Sequence, residues 1–393
     1  MSNRTLRGKV AVVGIGETTY FKHGKSPDPE FVLALRAILT ACQDAGIDPR
    51  DIDGFASFSD DRNEPPRLAA ALGVHELRFS NMQWAGGGGG VCAAVANAAS
   101  AIVAGMAECV VVFRSLAQGQ HARFGRSQPA HTISGDLALQ IPYGAMTPAQ
   151  RYSMKVIRYM HDHGIGSQTL RAIAMASYHH AQSNPRAVMQ GRPLDEAAYD
   201  ASRWIAEPHR LYDCCMENDG AAAIILVSAE RAKDFSNSPA YILGAAAGGS
   251  FRSAASSANA PDFASGNFGI LAPRMYAMAG ISPSDVDVVQ CYENFTGGVL
   301  MALAEHGFFD PAAANDFVTM RNLTAEHGAL PLNTSGGHLA ECYMHGMGLH
   351  VEAVRQLRGQ SPNPVANAQV AVVIGGPMVT PASTLAYGSE NTL

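Results

Sequence analysis

The residue types that can carry chemistry fall in a few short segments. Two tyrosines lie in Cys291-Tyr-Glu-Asn-Phe-Thr296 and in Cys342-Tyr-Met-His-Gly346. A phenol titrates near about 10, so it gives a proton readily and accepts one only where neighbours tune it. His345, just beyond Tyr343, is a candidate neighbour. The glycine-rich stretches Gly86–Gly90 and Gly375-Gly376 can bring backbone N–H groups close to a developing negative oxygen. Cys92 sits inside a run of small apolar residues and reads as a buried hydrophobe, as do Cys42 and the pair Cys214-Cys215. The histidines of His161-x-His163 and His179-His180 have no cysteine or carboxylate at tetrahedral ligand spacing, so no metal site is expected. Gly14-x-Gly16 follows a strand, but Thr19 stands where a dinucleotide fingerprint needs its third glycine. The residues Arg114, Arg123 and Arg126 could meet phosphates or lie on a solvated loop.

The elements that must position these groups alternate in type. Lys9 to Gly14 reads as a buried strand. Asp28-Pro29 opens a helix with apolar positions Phe31, Leu35, Ile38, Leu39 and Cys42, ended by Gly46. Strand signals follow at Asp53 to Ser59 and at Cys109 to Phe113. A turn at Asn81 to Gly90 and a buried helix at Val91 to Ala104 lie between them. This alternation predicts α/β layering with parallel pairing.

The pattern then recurs. Ala45-Gly-Ile-Asp-Pro-Arg-Asp-Ile-Asp53 is echoed by Ala279-Gly-Ile-Ser-Pro-Ser-Asp-Val-Asp287. A second glycine-rich turn and helix, Asn333 to Gly359, precedes an apolar strand at Val370 to Ile374. Agreement in order and spacing predicts two duplicated halves, 1–238 and 239–393. The first half carries an insertion at about 115–205, with helices predicted at 147–163 and 167–183.

With 393 residues, 47% of them apolar, the chain can bury two packed cores. Only 16% are charged, which leaves room for a surface covered by a partner. The net charge of −6 and the lack of a basic run argue against nucleic acid and anionic membranes. No apolar run reaches the roughly 18 residues of a membrane span, and the N-terminal residues do not resemble a secretory signal. Seven cysteines without a CxxC pair point to a reducing cytoplasm.

These segments resemble the thiolase superfamily over nearly the whole chain, and in particular its lipid-transfer-protein-associated branch. The resemblance rests on Asp219-Gly-Ala-Ala222 before a strand, on Tyr159 to Gly164 with Asn184-Pro185, and on Asn333 to Gly337 with His345 to Gly359. It implies a five-layered α-β-α-β-α fold built from two halves, normally dimeric. It also implies a nucleophilic cysteine at the position held here by Gly88 and catalytic groups at the positions of Tyr292 and Tyr343. A second cysteine would stand at Val373. All four positions depart from a thiolase, and two have become tyrosine. That pair resembles a subfamily of thiolase-like aldolases that cleave the side chains of steroid acyl-CoA esters. The subfamily works with a small OB-fold/zinc-ribbon partner, and any zinc would belong to that partner.

Claisen chemistry needs a thiolate to carry the acyl group, and Gly88 has none. Retro-aldol cleavage needs only a base for the β-hydroxyl, donors for the thioester enolate and an acid for the α-carbon. The reading is therefore cleavage of a β-hydroxyacyl-CoA to a ketone or aldehyde and a shorter acyl-CoA such as propionyl-CoA or acetyl-CoA. Tyr292 and Tyr343 share the proton transfer, and their order is left open. His345, Asn294, Gly88, Gly375 and Gly376 support or bind. Coenzyme A enters as part of the substrate, and no covalently bound cofactor is expected. The alternatives are an acyltransferase using another cysteine such as Cys92, or a non-catalytic subunit that holds CoA esters.

Overall fold

An apolar β-branched run cannot leave either face in water, and Val10–Glu17 forms strand β1 with both faces covered. The computed structural model describes residues 5–84, 86–120, 133–253 and 260–393. Helix α1, Glu30–Ala45, packs on β1 and ends at Gly46 in the left-handed conformation. Strands β2 (Gly54–Phe58) and β3 (Phe79–Gln83) follow, then helix α2 (Val91–Val103) and strand β4 (Cys109–Ala117). Helices α3 (Pro148–His163) and α4 (Gln168–Ser183) form the inserted segment, and β5 (Asn218–Ser228) closes the first half. The second half repeats the order with β6 (Ala240–Gly248), α5 (Leu271–Ala279), β7 (Val288–Cys291), α6 (Thr296–Glu305), α7 (Met347–Leu357), β8 (Val370–Gly375) and β9 (Ala382–Gly388).

The sheet order is β7-β8-β9-β6-β1-β5-β4-β2-β3, with the short strand Phe21–Lys22 beside β5. Each half has the same internal logic. β1 and β6 pair antiparallel with β5 and β9, these pair antiparallel with β4 and β8, and β2 and β7 join parallel. The place of β3 is taken in the second half by a single parallel bridge, Val289 to Leu332. The halves meet where β1 pairs with β6. Helices α2 and α7 lie between them and contact strands of both. Helices α1 and α5 cover the outer faces, which gives the five layers implied by the resemblance.

The sequence echo is an echo of function within the fold. Gly46 and Gly280 both end a helix with positive φ, and a 3₁₀ turn follows each at Pro49–Asp51 and Pro283–Asp285. The last residue of each repeat does the same work. Asp53 accepts the backbone N–H groups of Glu108 and Cys109 at 2.9 Å. Asp287 accepts those of Gln369 and Val370 at 2.7 and 2.9 Å. Each carboxylate thus pins the start of the strand that follows the central helix.

Four expectations change. The apolar face predicted for α1 is rotated: Leu39 is exposed and the buried side is Leu33, Ala34, Ala37, Ile38, Ala41 and Cys42. The cause lies in β1. A Cβ on Gly14 would stand 2.4 Å from the Ala41 carbonyl, and one on Gly16 2.2 Å from the Ala37 carbonyl. Gly14-x-Gly16 therefore serves helix–strand contact, and only the alanine side of α1 fits against it. Asp28 does not cap α1; Pro29 is the N-cap, and Asp28 pairs with Arg36 at 2.7 Å instead. Asn81 belongs to strand β3, not to a turn, because Phe79–Gln83 pairs parallel with β2; the turn begins later, at Gly86. Strand β4 likewise runs past Ser115 to Ala117, whose N–H meets the buried Glu30 carboxylate. The helices at 147–163 and 167–183 form within a residue of their predicted bounds, the first with a Thr147–Gln150 capping box.

A Gly16→Val substitution would force the helix off the sheet. It is expected to lower stability by about 1–3 kcal/mol or more in urea unfolding, with the slope of the transition unchanged.

Candidate functional site

Tyr292 extends strand β7 by one residue. Its N–H donates to the Ile374 carbonyl at 2.8 Å, which continues the parallel pairing with β8 and sets the side chain at the carboxyl ends of these strands. Tyr343 arrives from the opposite side, after the turn Gly337–Glu341, and its N–H donates to Asn218 Oδ1 at 3.0 Å. The two hydroxyls meet at 2.6 Å, with ring centroids 5.9 Å apart. Both rings are buried. Burial lifts Tyr292 above the phenol range, while the hydrogen bond from Tyr343 and the Gly88 backbone pull it back down. Burial also lifts Tyr343, and there its neighbour Tyr292 adds to the shift. Both phenols are therefore held protonated at neutral pH.

Gly88 leads into helix α2 and borders the cavity. A Cβ there would lie 1.9 Å from Cε2 of Tyr292 and 2.3 Å from its Cδ2. The tyrosine ring occupies the volume that any side chain at residue 88 would need. Cys92 does not replace the missing nucleophile. It is fully buried, its Sγ faces the Val373 carbonyl at 3.4 Å, and burial pushes its thiol up to about 12.

Two histidines frame the tyrosine pair. His338 stands edge-on to both rings, at 4.6 Å from Tyr292 and 5.2 Å from Tyr343. Burial pushes it down to about 3, and neither ring nitrogen has a hydrogen-bond partner among the described residues. His345 adopts a left-handed φ of 49° and sets its ring perpendicular to Tyr343 at 5.1 Å. Burial, then the Arg114 cation, hold it well below its ordinary range, so it is a neutral neighbour. Arg114 is fully buried and pairs with Asp60 at 2.7 Å and Asp61 at 3.2 Å. That geometry removes it from the candidates for a phosphate contact; Arg123 and Arg126 fall outside the described residues.

The tyrosine hydroxyls open onto a cavity of about 560 Å³. This is the range of pockets that enclose a sizeable ligand. Its walls are mostly apolar, with Tyr152, Ile205, Met216, Phe295 and Val379 prominent, and Asp60 and Glu217 add carboxylates. His345, Asn294 and Gly88 line it, although the Asn294 side-chain Oδ1 accepts the Phe295 N–H at 2.9 Å and so also shapes the turn. Gly375 and Gly376 do not line it. A Cβ on Gly376 would stand 2.3 Å from the Gly89 Cα, so these glycines permit close backbone packing beside the cavity. The segment Cys214 to Glu217 lines the cavity and carried no motif that marked it. Asn218, next to the recognisable Asp219-Gly-Ala-Ala222, could have been found from that adjacency. Asp60 could have been found as a carboxylate at a strand end.

Similarity to known proteins agrees with this geometry. Residues 249–388 match the model for a thiolase C-terminal domain-like family. The chain is 40% identical over 392 residues to the 17-hydroxy-3-oxo-4-pregnene-20-carboxyl-CoA lyase of Mycobacterium tuberculosis, covering 98% of this chain and 100% of the relative. It is 38% identical to the steroid side-chain-cleaving aldolase of Thermomonospora curvata, covering 98% and 99%. A solved structure described as an Ltp2-ChsH2(DUF35) aldolase superposes with a TM-score of 0.92 at 37% identity, covering 99% of this chain and 100% of that one.

The overlap at residue 88 predicts that Gly88→Cys creates no thiolase. Intact mass after incubation with acetyl-CoA should show no acyl adduct, and any carbon–carbon cleavage should fall with the displacement of Tyr292. A stable acyl-cysteine in a protein that still cleaves would contradict the steric argument.

Proposed function

Since the chain belongs to the thiolase-like aldolases that cleave steroid side chains, we propose that it does so through a proton relay between Tyr292 and Tyr343. The enzyme is a carbon–carbon lyase acting on an acyl-CoA ester. The observation that carries the relay is the 2.6 Å contact between two phenols at the floor of the cavity, in the place where a thiolase would hold its nucleophile.

Retro-aldol cleavage removes one proton from oxygen and adds one to carbon. The β-hydroxyl O–H breaks, a carbonyl forms, and the electron pair of the Cα–Cβ bond passes to the thioester as an enolate. The enolate then takes a proton at the α-carbon. Two hydrogen-bonded phenols can do both jobs together: one receives the hydroxyl proton as it passes its own along, and the other delivers a proton to carbon. No phenolate accumulates, which suits two tyrosines whose surroundings disfavour the charged form. In this reading backbone N–H groups at Gly86 and Gly87, ahead of helix α2, steady the enolate oxygen. The products are a ring ketone, or an aldehyde, and a shorter acyl-CoA such as propionyl-CoA or acetyl-CoA.

We also assign partners. The two-component name of the superposed aldolase supports a second protein, and the family resemblance makes it a small OB-fold/zinc-ribbon subunit. A homodimer is supported by the outer edge of β3, which pairs with no strand among the described residues and is flanked by the exposed Met82 and Trp84. All seven cysteines are free thiols, which supports a reducing compartment such as the cytoplasm.

The test is acyl-CoA release from a β-hydroxyacyl-CoA bearing a tertiary alcohol on a steroid ring carbon, assayed with the small partner co-expressed. Tyr292→Phe and Tyr343→Phe should each lose at least ~100-fold, the low end for removing a general acid or base. The wild-type rate should stay level across roughly pH 6 to 9, since raised phenol pKa values keep both groups protonated there. A variant with either phenylalanine that cleaves at the wild-type rate would refute the relay.

A further inference from the structure

The relay depends on two tyrosines carried by segments far apart in sequence, and one buried carboxylate joins those segments. Glu293 follows Tyr292 directly, is fully buried, and does not line the cavity. Its Oε2 accepts the His338 N–H at 2.8 Å, in the turn that leads to Tyr343. Its Oε1 accepts the Ser177 hydroxyl of helix α4 at 2.5 Å. The turn approaches this closely because residue 337 is glycine: with φ at 53°, a Cβ there would lie 1.9 Å from Glu293 Oε2. The Asn333 side chain adds a second fastening, accepting the Cys291 N–H at 2.7 Å and donating to the Cys291 carbonyl at 2.9 Å.

Resting on the tyrosine relay, we propose that Glu293 is a positioning residue that sets the Tyr292–Tyr343 contact by fastening the turn Gly337–Glu341 to the end of strand β7. It touches neither the cavity nor either phenol oxygen, so its influence passes through the backbone of His338. Desolvation raises its carboxyl to about 7, while the hydrogen bonds from Ser177 and the His338 backbone pull it back down. What the site needs from it is an acceptor of the right reach, not a proton.

That distinction can be measured. Glu293→Ala should lower kcat by about tenfold or more with KM little changed, because a small misplacement of catalytic groups is costly. Glu293→Gln should recover most of the rate, since its amide oxygen can accept from His338 while its NH₂ meets the Ser177 oxygen. In a Tyr343→Phe background, Glu293→Ala should add almost nothing, as expected for residues acting as a unit. If Glu293→Ala does not fold, Glu293→Asp replaces it, because the shortened side chain withdraws from His338 and keeps its charge. A disrupting variant with wild-type kcat, a Gln variant as slow as Ala, or an additive penalty in the Phe background would each overturn the assignment. Full activity of Tyr343→Phe by itself would instead overturn the relay on which the proposal rests.

Discussion

One steric fact organises this site: the ring of Tyr292 and a side chain at residue 88 cannot both exist. A Cβ at Gly88 would stand 1.9 Å from the ring, far inside van der Waals contact. Once the ring takes that space, covalent acyl transfer is closed, and the phenol gains the position over the N-terminus of α2 that a nucleophile would have used. The other departures follow from it. Tyr343 supplies the second hydroxyl, and the histidines nearby stay neutral beside the phenols.

Burial does the tuning. The protein buries both rings and the two histidines beside them, which penalises phenolate and imidazolium alike. Arg114, also buried nearby, is paired with Asp60 and Asp61 at the end of strands β2 and β4. A reaction with no net proton exchange fits such a place, because it asks only that protons move along existing hydrogen bonds.

Much of this was legible in the residues. Apolar runs, glycine stops and the repeated Ala-Gly-Ile turn located strands and helices, since each reflects a local rule of burial or backbone freedom. The tyrosine pair was legible through its resemblance to a family pattern. What escaped was set by contacts between distant segments. The buried face of α1 depends on two glycines in β1, and no periodicity within the helix shows that. The cavity-lining run from Cys214 to Glu217 has no pattern of its own; it is placed by the Cys215 N–H on the Asn294 carbonyl and the Met216 N–H on the His338 carbonyl. Gly375 and Gly376 lie outside the cavity lining, and their missing side chains let two backbones pass.

The paired anchors Asp53 and Asp287 carry a consequence for how such a protein changes over time. Each holds the base of its own strand from the far end of the sheet, away from the tyrosines. The scaffold is thus specified twice, at places the chemistry never touches, while the reacting groups stand on strand ends and the turns beyond them. Substitutions there can exchange one reaction for another without reopening the question of the fold. A cysteine lost and a tyrosine gained at neighbouring positions is the kind of step this separation allows.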